Sequence, residues 1–150
     1  QVAVPGYEPM EVKHILVPTR GGSCTESVQT ACEIARIHKA KVTALHVLEI
    51  PLTIPLDTAI SHRMAMAEAV LKRADAIARE FNVEISMKIV RSRSIVDTII
   101  SEVKKGKFDL LVMGAWDPKS GSKERKVGSV VDSILRKAPC RVWVCLGKPI

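Results

Sequence analysis

A chain of 150 residues, 47% of them hydrophobic and 26% charged, is long enough for one domain with its own core, built on Val, Ile, Leu and Ala because aromatics make up only 3%. No apolar run reaches the ~20 residues of a membrane span and no secretory leader is visible, so a soluble, cytoplasmic domain without direct membrane insertion is expected. The net charge of +7 is spread along the chain with almost no aromatic residue among the basic ones to stack on bases, which argues against a nucleic-acid partner. Cys24, Cys32, Cys140 and Cys145 form no C-x-x-C and read as buried free thiols. His14, His38, His46 and His62 lack partners at ligand spacing, so no metal site is expected.

Residues 1–11 carry Pro5, Gly6 and Pro9, a linker-like composition ahead of a domain over 12–150. Val12–Pro18 (VKHILVP) is a β-branched apolar run and predicts the first strand. Gly21 and Gly22 follow, and Ser23 with Glu26 has capping-box spacing for a helix running to about His38. Lys41–Leu48 (KVTALHVL) predicts the second strand, with His46 as a satisfied core histidine. Pro51 and Pro55 then enforce an extended connector, and Asp57 can cap a long helix over 58–81, on which Ile60, Met64, Ala67, Leu71, Ala74, Ala78 and Phe81 recur at intervals of three and four. Met64 and Met66 read as core filler before ligand contacts. Val83–Val90 predicts the third strand, Arg91–Ser94 a basic turn, and Ser94 with Asp97 the cap of a helix over Ile95–Lys104. Lys104, Lys105 and Lys107 place cations at that helix's C-terminus, where the dipole favours them.

Asp109–Gly114 (DLLVMG) predicts a fourth strand ending in glycine, and Gly128-Ser129 with Asp132 predicts a capped start to a last helix over Ser129–Lys137. A strand, a glycine bend and a helix N-terminus make phosphate-binding geometry, because the unpaired N–H groups of the first helical turn converge on one point. Arg141–Leu146 (RVWVCL) closes the chain as a fifth strand. Strands alternating with helices imply an α/β fold with a parallel sheet covered on both faces, its ligand crevice lying past the carboxyl ends of the strands. With the first and fourth strands as neighbours, residues 19–23 and 114–129 line one crevice.

HILVPTRGG, KVTALHV, DLLVMGAWD, GSVVDSIL and APCRVWV, in that order over nearly the whole length, resemble a universal stress protein domain. The resemblance implies an open five-stranded parallel sheet in the order 3-2-1-4-5, of the adenine nucleotide alpha hydrolase-like type. It also implies dimerisation through the last strand, Arg141–Leu146, and a division of members into those that bind ATP and those that do not. It places adenine beside Val42, Pro18 and Thr19, with ribose and phosphates along Gly114, Ala115, Gly128, Ser129 and Val130. Met113, Arg20 and Asp117 complete the candidate set, and magnesium is a candidate companion of the nucleotide.

The sequence departs from the ATP-binding pattern G-x-x-G-x9-G-[ST]: Asp117 stands where the second glycine belongs, and ten residues rather than nine separate it from Gly128. A carboxylate there opposes a phosphate. Arg20 replaces the usual Asp, exchanging an acceptor for sugar hydroxyls for a cationic fork. Arg91 and Arg93, with Lys119, Lys123, Arg125 and Lys126, either compensate for Asp117 or are a solvated surface. The Arg after the first strand and the Arg-Ser turn resemble stress domains appended to amino-acid permeases and cation antiporters, whose attached membrane domain is then the partner. The readings are a homodimeric, nucleotide-responsive regulatory module for ATP or AMP-type ligands, a dimerisation domain without nucleotide, and a slow ATPase; no catalytic dyad is visible, and Asp109, at the far end of its strand, lies away from the crevice.

Overall fold

The computed structural model describes residues 4–19, 25–55, 61–115 and 128–146. The expected elements recur in the expected order: β1 His14–Thr19, α1 Thr25–His38, β2 Lys41–Glu49, α2 Ser61–Glu80, β3 Ile85–Ser92, α3 Ile95–Gly106, β4 Leu110–Gly114, α4 Ser129–Lys137 and β5 Arg141–Cys145. The strands form one sheet in the order β3-β2-β1-β4-β5, and every pairing is parallel. This is the open α/β architecture expected of the chain, with helices on both faces.

Alternation within each strand sorts the core into two layers. Ile15, Val17, Val42, Ala44, Leu110 and Val112 pack with α1 and α2 on one face. Leu16, Leu45, Leu111 and Met113 pack with α3 and α4 on the other. Strands covered on both sides have no wet face, which is why β1 and β4 are continuous apolar runs rather than alternating ones. At the amino edge of the sheet the Asp109 carboxylate accepts the backbone N–H groups of Lys13, at 3.0 Å, and His14, at 3.3 Å, while its own N–H donates to the His14 carbonyl at 3.0 Å. Asp109 thus ties β4 to the start of β1, as far from the carboxyl edge as its position implied.

Two local expectations change. Arg91 and Ser92 belong to β3, not to a turn, because the ladder with β2 continues through Leu48↔Arg91 and Glu49↔Ser92. Ser94 does cap α3, its side chain accepting the Asp97 N–H at 3.3 Å. At α4 the cap is Gly128 rather than Ser129. Ser129 is already helical, and the N-cap, Gly128, makes no side-chain cap bond. The capping expectations at Ser23 and Asp57 lie outside the described residues.

The last turn of α3 is basic as expected, with Lys104 and Lys105, and it ends in strain. Lys107 adopts φ 52, ψ 46 while its N–H bonds the Val103 carbonyl. A Cβ on Gly106 would lie 2.3 Å from the ring of Phe108, which is itself stacked on His14 with centroids 4.6 Å apart. The left-handed conformation suits glycine, so Lys107→Gly is expected to raise the unfolding free energy by about 1 kcal/mol, measured by urea denaturation.

Candidate functional site

Because β1 and β4 are parallel neighbours, paired through Ile15↔Leu110 and Leu16↔Leu111, their carboxyl ends open at the same edge. There a hollow of about 50 Å³ is lined by Pro18 and Thr19 of β1, Met113 and Gly114 of β4, and Val130 at the start of α4. Gly128 and Ser129 lie exposed beside it at the α4 N-terminus. The Asp132 N–H already bonds the Gly128 carbonyl at 2.9 Å. The three preceding N–H groups, of Ser129, Val130 and Val131, have no helical acceptor, the situation that makes a helix start attractive to anions. An added Cβ at Gly114 or Gly128 would meet nothing within 4 Å.

Other residues singled out from the sequence fall elsewhere. The Ala115 N–H donates to the Cys145 carbonyl at 3.0 Å, so it continues the β4–β5 ladder and is not free for a ligand. Val42 pairs with Ile15 at the amino end of β2 and faces α1 and α2, so the structure separates it from the hollow in both end and face. Val47 lines the hollow instead, together with Ile95 and Ile99 of α3 and Val131 of α4. Val47 shares the alternation of Leu45, which turns it toward α3. Ile95 and Ile99 share a helix face at i, i+4 spacing. Arg20 and Asp117, with Lys119, Lys123, Arg125 and Lys126, lie outside the described residues.

His46 is buried as expected, 7% exposed. The Thr19 hydroxyl, itself buried, sits 2.9 Å from His46 Nδ1 and 3.3 Å from the Leu45 carbonyl. Donation to the carbonyl leaves the hydroxyl to accept Nδ1–H, so the Thr19 oxygen is committed to holding β1 and β2 together. Burial holds the imidazole pKa below the ordinary 6.5. The unfolded chain therefore takes up this proton at a higher pH than the folded one does. The associated stability is present above about 6.5 and is lost as pH falls through that value toward the folded pKa. Urea midpoints followed from neutral to acid pH should decline over that window, and His46→Gln should flatten the slope.

The Cys32 thiol is fully buried, and burial followed by the charge of Glu33 pushes its pKa up to about 11, so it stays protonated and unreactive at neutral pH. Cys140 and Cys145 are free but only half-buried, unlike the expectation, because they flank and close the edge strand β5. Cys24 lies outside the described residues. Among the described residues no helix is long and apolar enough to cross a membrane.

The hollow thus lies at the carboxyl edge of β1 and β4, in a sheet ordered β3-β2-β1-β4-β5. The chain belongs to the universal stress protein family, whose model matches residues 11–145. It is similar to a universal stress protein of Methanothermobacter thermautotrophicus, 24% identical over 139 residues, covering 87% of this chain and 92% of that one. Two solved structures share the fold. One is a universal stress protein in complex with cAMP, with a TM-score of 0.69, 21% identity and coverage of 93% of this chain and 100% of that one. The other is the universal stress protein from Archaeoglobus fulgidus in complex with dAMP, with a TM-score of 0.68, 20% identity and coverage of 90% and 98%.

Proposed function

We propose that this chain is an adenine-nucleotide-responsive regulatory module, in which occupancy of the hollow between β1, β4 and α4 changes how the segment joining β4 to α4 meets a partner. The observation that carries the reading is the uncapped start of α4, Gly128 to Val130, beside the hollow of Pro18, Thr19, Met113 and Gly114. Further support comes from the relatives whose structures hold cAMP and dAMP. The residues suit such a group: Ser129 and Val130 N–H groups for a phosphate, apolar walls for the edge of a base. At about 50 Å³ the hollow takes only that edge, whereas drug-sized ligands occupy pockets of roughly 300 Å³ or more, so binding has to widen it. When bound, the nucleotide supplies negative charge at the α4 terminus, and the residues that answer it set the response. Magnesium is a companion to ATP in this reading, not to the monophosphates, and Arg20 and Asp117 are the residues proposed to tune phosphate affinity.

Calorimetric titration with AMP, dAMP, ATP with magnesium, and cAMP tests the proposal. Measurable heat and a raised melting temperature for at least one of them is the expected result; neither at millimolar ligand overturns it. The reading extends to a homodimer through β5 and to a parent transporter joined at the end bearing residues 1–11. What supports the dimer is the outer edge of β5, which pairs only with β4 among the described strands and carries Trp143, 39% exposed, with Leu146, 38% exposed, just past the strand. An apolar edge of this kind invites pairing with a second strand. A sedimentation profile showing monomer alone would remove the dimer while leaving the nucleotide reading standing.

A further inference from the structure

Past the carboxyl end of β2, on the face covered by α2 rather than by α3 and α4, lies an open groove of about 550 Å³. Its size falls in the range of small-molecule sites. Among the described residues only Val47 lines both it and the hollow described above. The connector leaving β2 forms one wall and α2 another. Arg93, just past β3, clasps the connector through Nη1, which donates to the carbonyls of Ile50, at 3.4 Å, Ile54, at 2.9 Å, and Pro51. Arg63 of α2 donates from Nη1 to the Glu49 carbonyl at 2.7 Å. These bonds fix both guanidinium groups at the groove without neutralising them, because a carbonyl carries no net charge. The ion pairs among the described residues join Arg79 to Asp75, Lys88 to Glu102 and Arg136 to Asp132, and involve neither arginine. Glu49 is the one carboxylate among the described lining residues, against two guanidinium groups. Leu52, 87% exposed, and Met66, 43% exposed, put unburied apolar surface at the same place. His46 also lines the groove, nine-tenths buried, with Nδ1 committed to Thr19 and, among the described residues, no partner at Nε2.

We propose that this groove is a second ligand site, for a small organic anion with a flat apolar body. The anionic head meets the free donors of Arg63 and Arg93, the body covers Leu52 and Met66, and a donor group on the ligand reaches His46 Nε2. Paired charge and apolar contact in one groove select for an amphiphile: a bare ion gains nothing from Leu52 and Met66, and a neutral hydrophobe nothing from the arginines. The site does not rest on the nucleotide reading, since Val47 alone among the described residues lines both places.

The test uses the whole chain and anilinonaphthalene sulfonate, a fluorescent aryl sulfonate, as probe. Saturable binding of one dye per chain to the folded protein is expected. Arg63→Gln and Leu52→Asp should each weaken it by about tenfold or more, and Glu49→Gln should tighten it. Because Leu52 is solvent-exposed, Leu52→Asp should leave the melting temperature unchanged, which separates lost contact from lost fold. AMP at saturating concentration and Gly128→Asp should leave dye binding as it was. Absence of saturable binding, equal affinity for the uncharged N-phenylnaphthylamine, indifference to Leu52→Asp, or displacement of the dye by AMP would each overturn the proposal.

Discussion

Gly128→Asp is expected to abolish nucleotide binding while leaving the fold intact or slightly firmer, two effects of opposite sign from one side chain. Gly128 is the N-cap of α4, with φ -70 and ψ 166, an extended conformation open to any residue. A Cβ there meets nothing within 4 Å. Aspartate is among the best N-cap residues because its carboxylate accepts the N–H of the second or third helical residue, here Val130 or Val131, so a gain of a few tenths of a kcal/mol over glycine is expected. The Val130 N–H is one of the two donors proposed to meet a phosphate. An internal carboxylate would both compete for that donor and repel the incoming anion, and an unmatched charge of this sort costs about 2–5 kcal/mol, a loss of about thirtyfold or more. Gly128→Ala, which adds bulk without charge, should weaken binding far less. Thermal melts and AMP titrations on the same preparations provide the check. Retained affinity in a well-folded Gly128→Asp protein would move the phosphate away from α4 and remove the observation on which the nucleotide reading stands.

How far this could be read from the chain alone follows from what each signal encodes. β1 and β4 are legible because a strand buried on both faces must be a continuous apolar run, and Leu110–Met113 is one. The carboxyl end of β3 is not legible in the same way: Arg91 and Ser92 stay in the ladder through backbone bonds to β2, and an edge strand can carry polar side chains without leaving the sheet. The α4 cap was off by one residue because a serine followed three residues later by an acid looks the same whether the helix starts before or after the serine. Val42 lies away from the hollow for a register reason. Val42 and Val47 lie on opposite faces of β2, since an odd separation reverses the side chain, and only the pairing Thr19↔His46 tells which end of β2 reaches the crevice. Ile95 and Ile99 come to the hollow from a helix remote in the chain, through packing that periodicity predicts in kind but not in partner. The half-burial of Cys140 and Cys145 likewise depends on what covers β5, and the chain's own helices leave that edge partly open.

The stability of the layer beneath the hollow can be tested separately from any ligand. Leu111 is fully buried in β4, between Leu16 of β1 and Val142 of β5 in register, and packs in one cluster with Ile99 and Val103 of α3 and Val131 and Ile134 of α4. Truncation to alanine removes apolar contact on the face covered by two helices, and the sheet cannot collapse into the gap without shifting strands on either side. Leu111→Ala is therefore expected to cost about 3–4 kcal/mol, near the middle of the range for fully buried leucines. Against a typical total of about 5–15 kcal/mol, that is enough to lower the urea midpoint visibly while leaving a cooperative transition. Leu135 on the same side of the molecule, 47% exposed on α4, should lose well under half as much on the same substitution. The comparison matters because Met113, Val130 and Val131 line the hollow from the elements that Leu111 holds together. If Leu111→Ala cost less than about 1 kcal/mol, no tighter than a surface change, then α3 and α4 would not be packed on β4 as described, and a hollow shaped by that packing could not hold a ligand edge in a fixed place.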